Sequence, residues 1–173
     1  MNLTEAVGIL RTQHQCAPPC TDAQMEVARQ RLPEALVKFY SHANGATLRR
    51  SRPSKNFYTG EPTQIWFEFI IPQVDDNTTI ADMGFISPKD ELYEAGKTWR
   101  IVCDLGDADY LAIETVGGCR GRVIECDHEQ SGWPEGHLVF APDFATALER
   151  LLTEEPFSWR DDSPPRYGTL ATS

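Results

Sequence analysis

Between Trp99 and Cys126 three β-rich runs follow one another: Trp99 to Asp104, Tyr110 to Glu114 and Arg122 to Cys126. The loops between them, Leu105-Gly106-Asp107-Ala108-Asp109 and Val116-Gly117-Gly118-Cys119-Arg120-Gly121, are rich in turn residues and too short to hold a helix. Parallel strands need a long crossover, so neighbouring runs are expected to pair antiparallel. A further run alternates Ile65, Phe67, Phe69 and Ile71 with Trp66, Glu68 and Ile70, which is the period of a strand. The middle of the chain should therefore be an antiparallel meander of at least four strands.

Helical signals flank this block. Leu3, Val7 and Leu10 share one face of a short helix that Pro18-Pro19 must stop. Thr21 or Asp22 caps a second helix through Met25, Val27 and Ala28 to Arg31. Pro33 suits the first turn of a third, which buries Leu36, Val37, Phe39 and Tyr40 and ends at Asn44-Gly45. Asp143 caps a last helix, with Phe144, Leu148, Leu151 and Leu152 at helical spacing. The polar stretch Arg49-Arg50-Ser51-Arg52-Pro53-Ser54-Lys55 lacks apolar periodicity and reads as an exposed loop. Beyond Pro156, residues such as Asp161, Asp162, Pro164 and Pro165 suggest an extended tail.

With 173 residues and 40% hydrophobic content, the chain can build one core and not two. The expected fold class is α+β: a single domain whose antiparallel or mixed β-sheet is packed by N-terminal and C-terminal helices. Its segments are a short extension or helix over residues 1–19, the domain over 20–155 and the tail over 156–173.

Recognisable chemistry is sparse. Dinucleotide, P-loop and nucleophile-elbow patterns do not occur, and Gly117-Gly118-Cys119-Arg120-Gly121 falls between strands, where no helix dipole would face a phosphate. Asp127-His128-Glu129 is the nearest approach to an acid/base pair, yet neighbouring strand residues face opposite ways. The five cysteines, an odd number, point to a reducing compartment rather than a disulfide framework. His14, Cys16 and Cys20, with Cys126 and His128, offer soft atoms without paired C-x-x-C spacing, so neither a metal nor another cofactor is expected. The longest apolar run, Phe69-Ile70-Ile71, is far below membrane-spanning length, and no signal-peptide pattern is present; a cytoplasmic protein away from membranes is expected.

Charge is the stronger clue. Residues 101–162 hold fourteen Asp and Glu against four Arg and no Lys, while the whole chain carries −10. Such a regional field attracts cationic partners and repels nucleic acid. Asp104, Asp107 and Asp109 sit at one strand-to-strand loop, and Glu125, Asp127 and Glu129 at the end of a later strand. A meander can bring the two groups together. Trp66, Tyr110 and Trp133 are candidate aromatic anchors beside them.

The order of these elements resembles a known family. Leu32-Pro33 with Leu36, Phe39, Tyr40 and Asn44-Gly45, then Trp99-Arg100-Ile101, Gly106-Asp107 before Tyr110-Leu111-Ala112-Ile113, Gly121-Arg122-Val123 leading to Asp127-His128-Glu129, and Ala141-Pro142-Asp143-Phe144 together resemble the SUKH superfamily. That superfamily includes fungal cell-wall synthesis regulators linked to killer-toxin resistance and many bacterial immunity proteins. The likeness covers residues 20 to 155 and leaves out the stretch through Cys20 and that from Arg49 to Pro62. It implies an α+β fold and a non-enzymatic binding role. Expected is an immunity protein, monomeric or homodimeric, that binds a basic cognate toxin, such as a nuclease, through the acidic residues; the alternative it implies is a regulatory scaffold domain.

Overall fold

A computed structural model describes residues 1–76, 78–84, 86–129, 133–134, 137–161 and 165–170. Among the described residues seven strands form one antiparallel sheet in chain order: β1 (Gln15–Cys16), β2 (Ala46–Lys55), β3 (Pro62–Ile71), β4 (Trp99–Gly106), β5 (Asp109–Glu114), β6 (Val123–Cys126) and β7 (Leu138–Ala141). Around it lie α1 (Leu3–Gln13), α2 (Asp22–Arg31), α3 (Glu34–Tyr40), the single turn α4 (Tyr93–Gly96) and α5 (Phe144–Thr153). The chain is thus a single α+β domain, as its sequence pattern implies. None of the described helices is long and apolar enough to cross a membrane.

Local chemistry fixes the helix ends. Thr21 and Gln24 close a capping box on α2, Asn2 and Glu5 close one on α1, and the Asp143 carboxylate accepts from the Thr146 N–H to start α5. Gly45 follows α3 with φ of 94°, and a Cβ there would come within 2.9 Å of the Ile71 carbonyl oxygen. Only glycine suits this turn into β2.

The sheet buries both faces. One carries Leu48, Phe69, Leu105, Leu111, Ile113 and Val123 against α1, α2, α3 and α5, in a core that includes Leu10, Leu36, Phe39, Phe144 and Leu148. Each fully buried side chain of this size stabilises the fold by about 1.5–3 kcal/mol. The other face, with Trp99, Ile101, Ala112, Ile124 and Cys126, lies under Ile80, Ile86 and α4.

Two expectations fail in instructive ways. The segment from Arg49 to Lys55 is not a loop: it forms the outer half of β2, paired residue by residue with β3 from Ala46↔Ile71 to Lys55↔Pro62. Its apolar period is missing because this ribbon projects past the core. β4 ends at Gly106, so β3 before Phe67 has β2 on one edge and no strand on the other, and Phe57, Tyr58 and Trp66 stay exposed. The expected extended tail also gives way at its start, where a 3-10 turn (Ser158–Asp161) drives Trp159 into the main core against Phe140 and Phe69. Asp162 and Pro164 lie outside the described residues.

Candidate functional site

Strand pairing decides which carboxylates meet. Asp109 pairs with Gly106 across the β4–β5 turn, and Tyr110 pairs with Cys126, which sets Asp127 beside Asp109 at the end of the sheet. The two acidic groups foreseen from sequence, one on the β4–β5 loop and one at the end of β6, do come together. Asp107 and Glu129 are exposed, and Asp104 and Asp127 are half-buried. The Asp104 and Asp127 carboxylates accept from the Gly106 and Glu129 main-chain N–H groups, at 2.8 Å each.

Asp109 and Glu125 do not belong to that surface. They are only 6% and 2% exposed. The reason is strand parity: Asp109 shares its face with Leu111 and Ile113, and Glu125 shares its face with Val123, so both side chains point toward the helical core. There the 3-10 turn brings Arg160 between them. Its guanidinium donates to Glu125 Oε1 and, at 2.8 Å, to Asp109 Oδ2, while the Trp159 indole N–H donates to Glu125 Oε2 at 2.7 Å. His128 adds a main-chain N–H and an imidazole Nδ1 contact to Asp109 Oδ1, at 3.1 and 2.9 Å.

Electrostatics follow from this geometry. Burial would raise the Asp109 pKa, but hydrogen bonds from Arg160 and His128 hold it below the ordinary carboxylate value. For Glu125 burial is the largest influence and outweighs Arg160 and Trp159, so its pKa rises. The hydrogen bond to Asp109 raises the His128 pKa. Arg160 thus compensates carboxylates that would otherwise be isolated in the core, a role no single residue type in the tail announces. The aromatic pair Phe157 and Trp159 around it was the available signal for a packed segment.

A cleft of about 310 Å³ opens over this network, lined by Arg52, Phe67, Asp107, Phe157, Arg160 and Asp161 among others. Arg160 stacks on Phe157 with its Cζ 4.7 Å from the ring centre, and Arg52 sits 5.5 Å over Phe67. Among the described lining residues there is no hydroxyl, thiol or imidazole. One atom each of Asp109, Asp127 and His128 lie within 4.8 Å of one another, a spacing compatible with a metal's ligands. Both Asp109 oxygens are already engaged, however, and the imidazole is biased toward carrying a proton. The donor set fits an ion-pair network better than a metal centre.

The three aromatic candidates separate. Pairing through Ile70↔Asp104↔Tyr110 places those side chains in one line across the second face of the sheet. Ile70 is 44% exposed there, and Trp66, at the same parity on β3, is 68% exposed. Tyr110 is half-buried against Ile124 and its neighbours. Trp133 is 72% exposed. No family model, curated protein or solved structure matches the chain.

Proposed function

We propose that this protein is a non-catalytic docking domain, an immunity protein of the SUKH type, which neutralises a basic protein toxin by covering it. The observation that supports this reading is the convergence of Asp104, Asp107, Asp127 and Glu129 from two separate segments at one end of the sheet, with Ile70 and Trp66 exposed along the adjoining face. Carboxylates around an apolar centre suit a cationic groove: the charges steer encounter and the aromatic group holds the complex. The reading makes Asp109 and Glu125 internal supports of that surface and not contacts.

The test is charge reversal at the two most exposed acids. Asp107→Lys with Glu129→Lys, both remote from the core, should lower the association rate with the captured toxin by about tenfold to a hundredfold at low salt, with the difference shrinking as salt rises. Protection of cells expressing that toxin should fall in parallel. Unchanged association and unchanged protection would remove this surface from the mechanism. Recovery of a partner with no toxic activity would favour the regulatory scaffold instead.

A further inference from the structure

At the opposite end of β4 and β5 the nearby carboxylates Glu94 and Glu114 are each tied to a basic side chain, Lys97 and Arg122. A cleft of about 500 Å³ lies there, lined by Gln30, Arg31 and Leu32 from the end of α2, Thr79, Lys97, Thr98 and Arg100 around the start of β4, Thr115 and Val116 after β5, and Arg120. Four of the chain's sixteen Lys and Arg face it, and among the described residues not one of its twenty-six Asp and Glu does. In a chain of net charge −10, such exclusion of carboxylates needs a cause.

The four cations are held differently. Arg100 is buried and donates to the main-chain oxygens of Val74 and Asp76, so it forms a fixed positive floor. Arg120 gives one N–H to the Leu32 carbonyl at 2.9 Å, which answers the negative end of α2 and keeps it from facing the cleft. Lys97, its side chain 46% exposed, is tied at 2.6 Å to Glu94 alone among the carboxylates, and the Glu94 side chain is 80% exposed. Arg31 is exposed and forms no ion pair among the described residues. Two cations are therefore anchored, and two remain at the rim with donors to offer. The hydroxyls of Thr79, Thr98 and Thr115 already donate to Asp82, Ala95 and Thr98 oxygens, which leaves recognition to the cations.

We propose that this cleft binds a small phosphate-bearing molecule. Its volume falls in the range of small-ligand sites. Four cations around one space overmatch a single carboxylate, whereas a diphosphate supplies several negative charges and acceptor oxygens arranged for guanidinium forks. The site is distinct from the acidic docking surface. β4 is eight residues long, and at about 3.3 Å per residue the two ends lie roughly 25 Å apart.

Calorimetric titration of the intact protein with sodium pyrophosphate at low ionic strength tests this. Arg31→Gln and Lys97→Gln should each weaken binding by roughly tenfold, the loss expected for one charge-assisted contact. Both positions are at the rim, so the variants should melt like the parent. Glu94→Gln, which releases Lys97, should tighten binding severalfold, an effect that misfolding cannot imitate. Absence of heat at millimolar pyrophosphate would overturn the proposal, as would equal affinity in the Arg31→Gln, Lys97→Gln double variant. Equal binding of citrate would overturn the phosphate assignment, and tighter binding of a single-stranded oligonucleotide would replace the small ligand by a polymer. None of these results depends on whether the toxin is found.

Discussion

At one end of β4 and β5, Asp109 and Glu125 turn inward and close on Arg160, so that charge there is spent largely on holding the C-terminal turn against the sheet. At the other end, Arg31 and Lys97 stand at the rim of a cleft with no carboxylate among its described lining residues. The sheet thus closes an acidic network on Arg160 at one end and, at the other, gathers cations around a cleft, of which, among the described residues, Lys97 alone has a carboxylate partner. The contrast teaches that net charge along a sequence does not reveal surface potential: part of the richest acidic stretch is internal structure, while the cations that remain available lie elsewhere.

Removing Arg160 is the most severe way to break this contrast. Arg160→Met keeps an apolar stem and deletes the guanidinium that stacks on Phe157, leaving Asp109 and Glu125 buried without their shared partner. Breaking a buried ion pair in this way costs about 3–5 kcal/mol, measured by urea denaturation at neutral pH. The loss should shrink in mildly acidic solution. Glu125 already has a raised pKa, and without Arg160 it rises further, so the folded variant takes up a proton before the unfolded chain does and gains stability as pH falls. A loss that stays constant between neutral and acid pH would show that stacking of the guanidinium on Phe157, not its charge, accounts for Arg160.

How far the sequence alone reaches differs between elements. Capping residues and helical spacing mark α2 and α5 nearly to the residue, because the chemistry of a helix end is local. Short loops fix the antiparallel order for the same reason. The outer half of β2 is hidden, since a ribbon with no fully buried residue has no apolar period to display. Within the acidic site the convergence of the two carboxylate groups is legible, but the division into inward and outward members is legible only once register is known. Asp109-Tyr110-Leu111-Ala112-Ile113 does carry the answer: Asp109 keeps the parity of Leu111 and Ile113. Arg160 stays invisible because its partners are 35 and 51 residues away. The cationic cleft is invisible for the same reason, being drawn from α2, β4 and the loops after β5.

The turn that presents Asp107 offers a smaller test. Asp107 and Ala108 have φ of 53° and 66°, the left-handed pair of a two-residue hairpin turn. Aspartate tolerates that region and alanine does not. Ala108→Gly should stabilise the protein by about 0.5–1 kcal/mol after allowing for glycine's greater freedom in the unfolded chain. It leaves every carboxylate at the acidic end in place, so docking should be unchanged. A stabilising variant that also weakens docking would mean that the strained turn itself, and not only its charge, meets the partner.

The smallest effect expected is a pH dependence confined to the acidic end. His128 has a raised pKa because it bonds Asp109, whose own pKa is lowered and which therefore stays ionised in mildly acidic solution. A histidine raised by a partner adds stability that is fully present below its unfolded value, about 6.5, and that disappears as pH climbs through the higher folded value. His128→Gln should accordingly melt below the parent near pH 5.5 and approach it near pH 8.5, where the imidazole of the parent is neutral. The cationic cleft contains no histidine among its described lining residues, so pyrophosphate affinity should be the same in this variant as in the parent at each pH. Equal melting of variant and parent at both pH values would assign His128 a role through its main-chain N–H alone, which glutamine retains, and would detach the imidazole from the network that Arg160 organises.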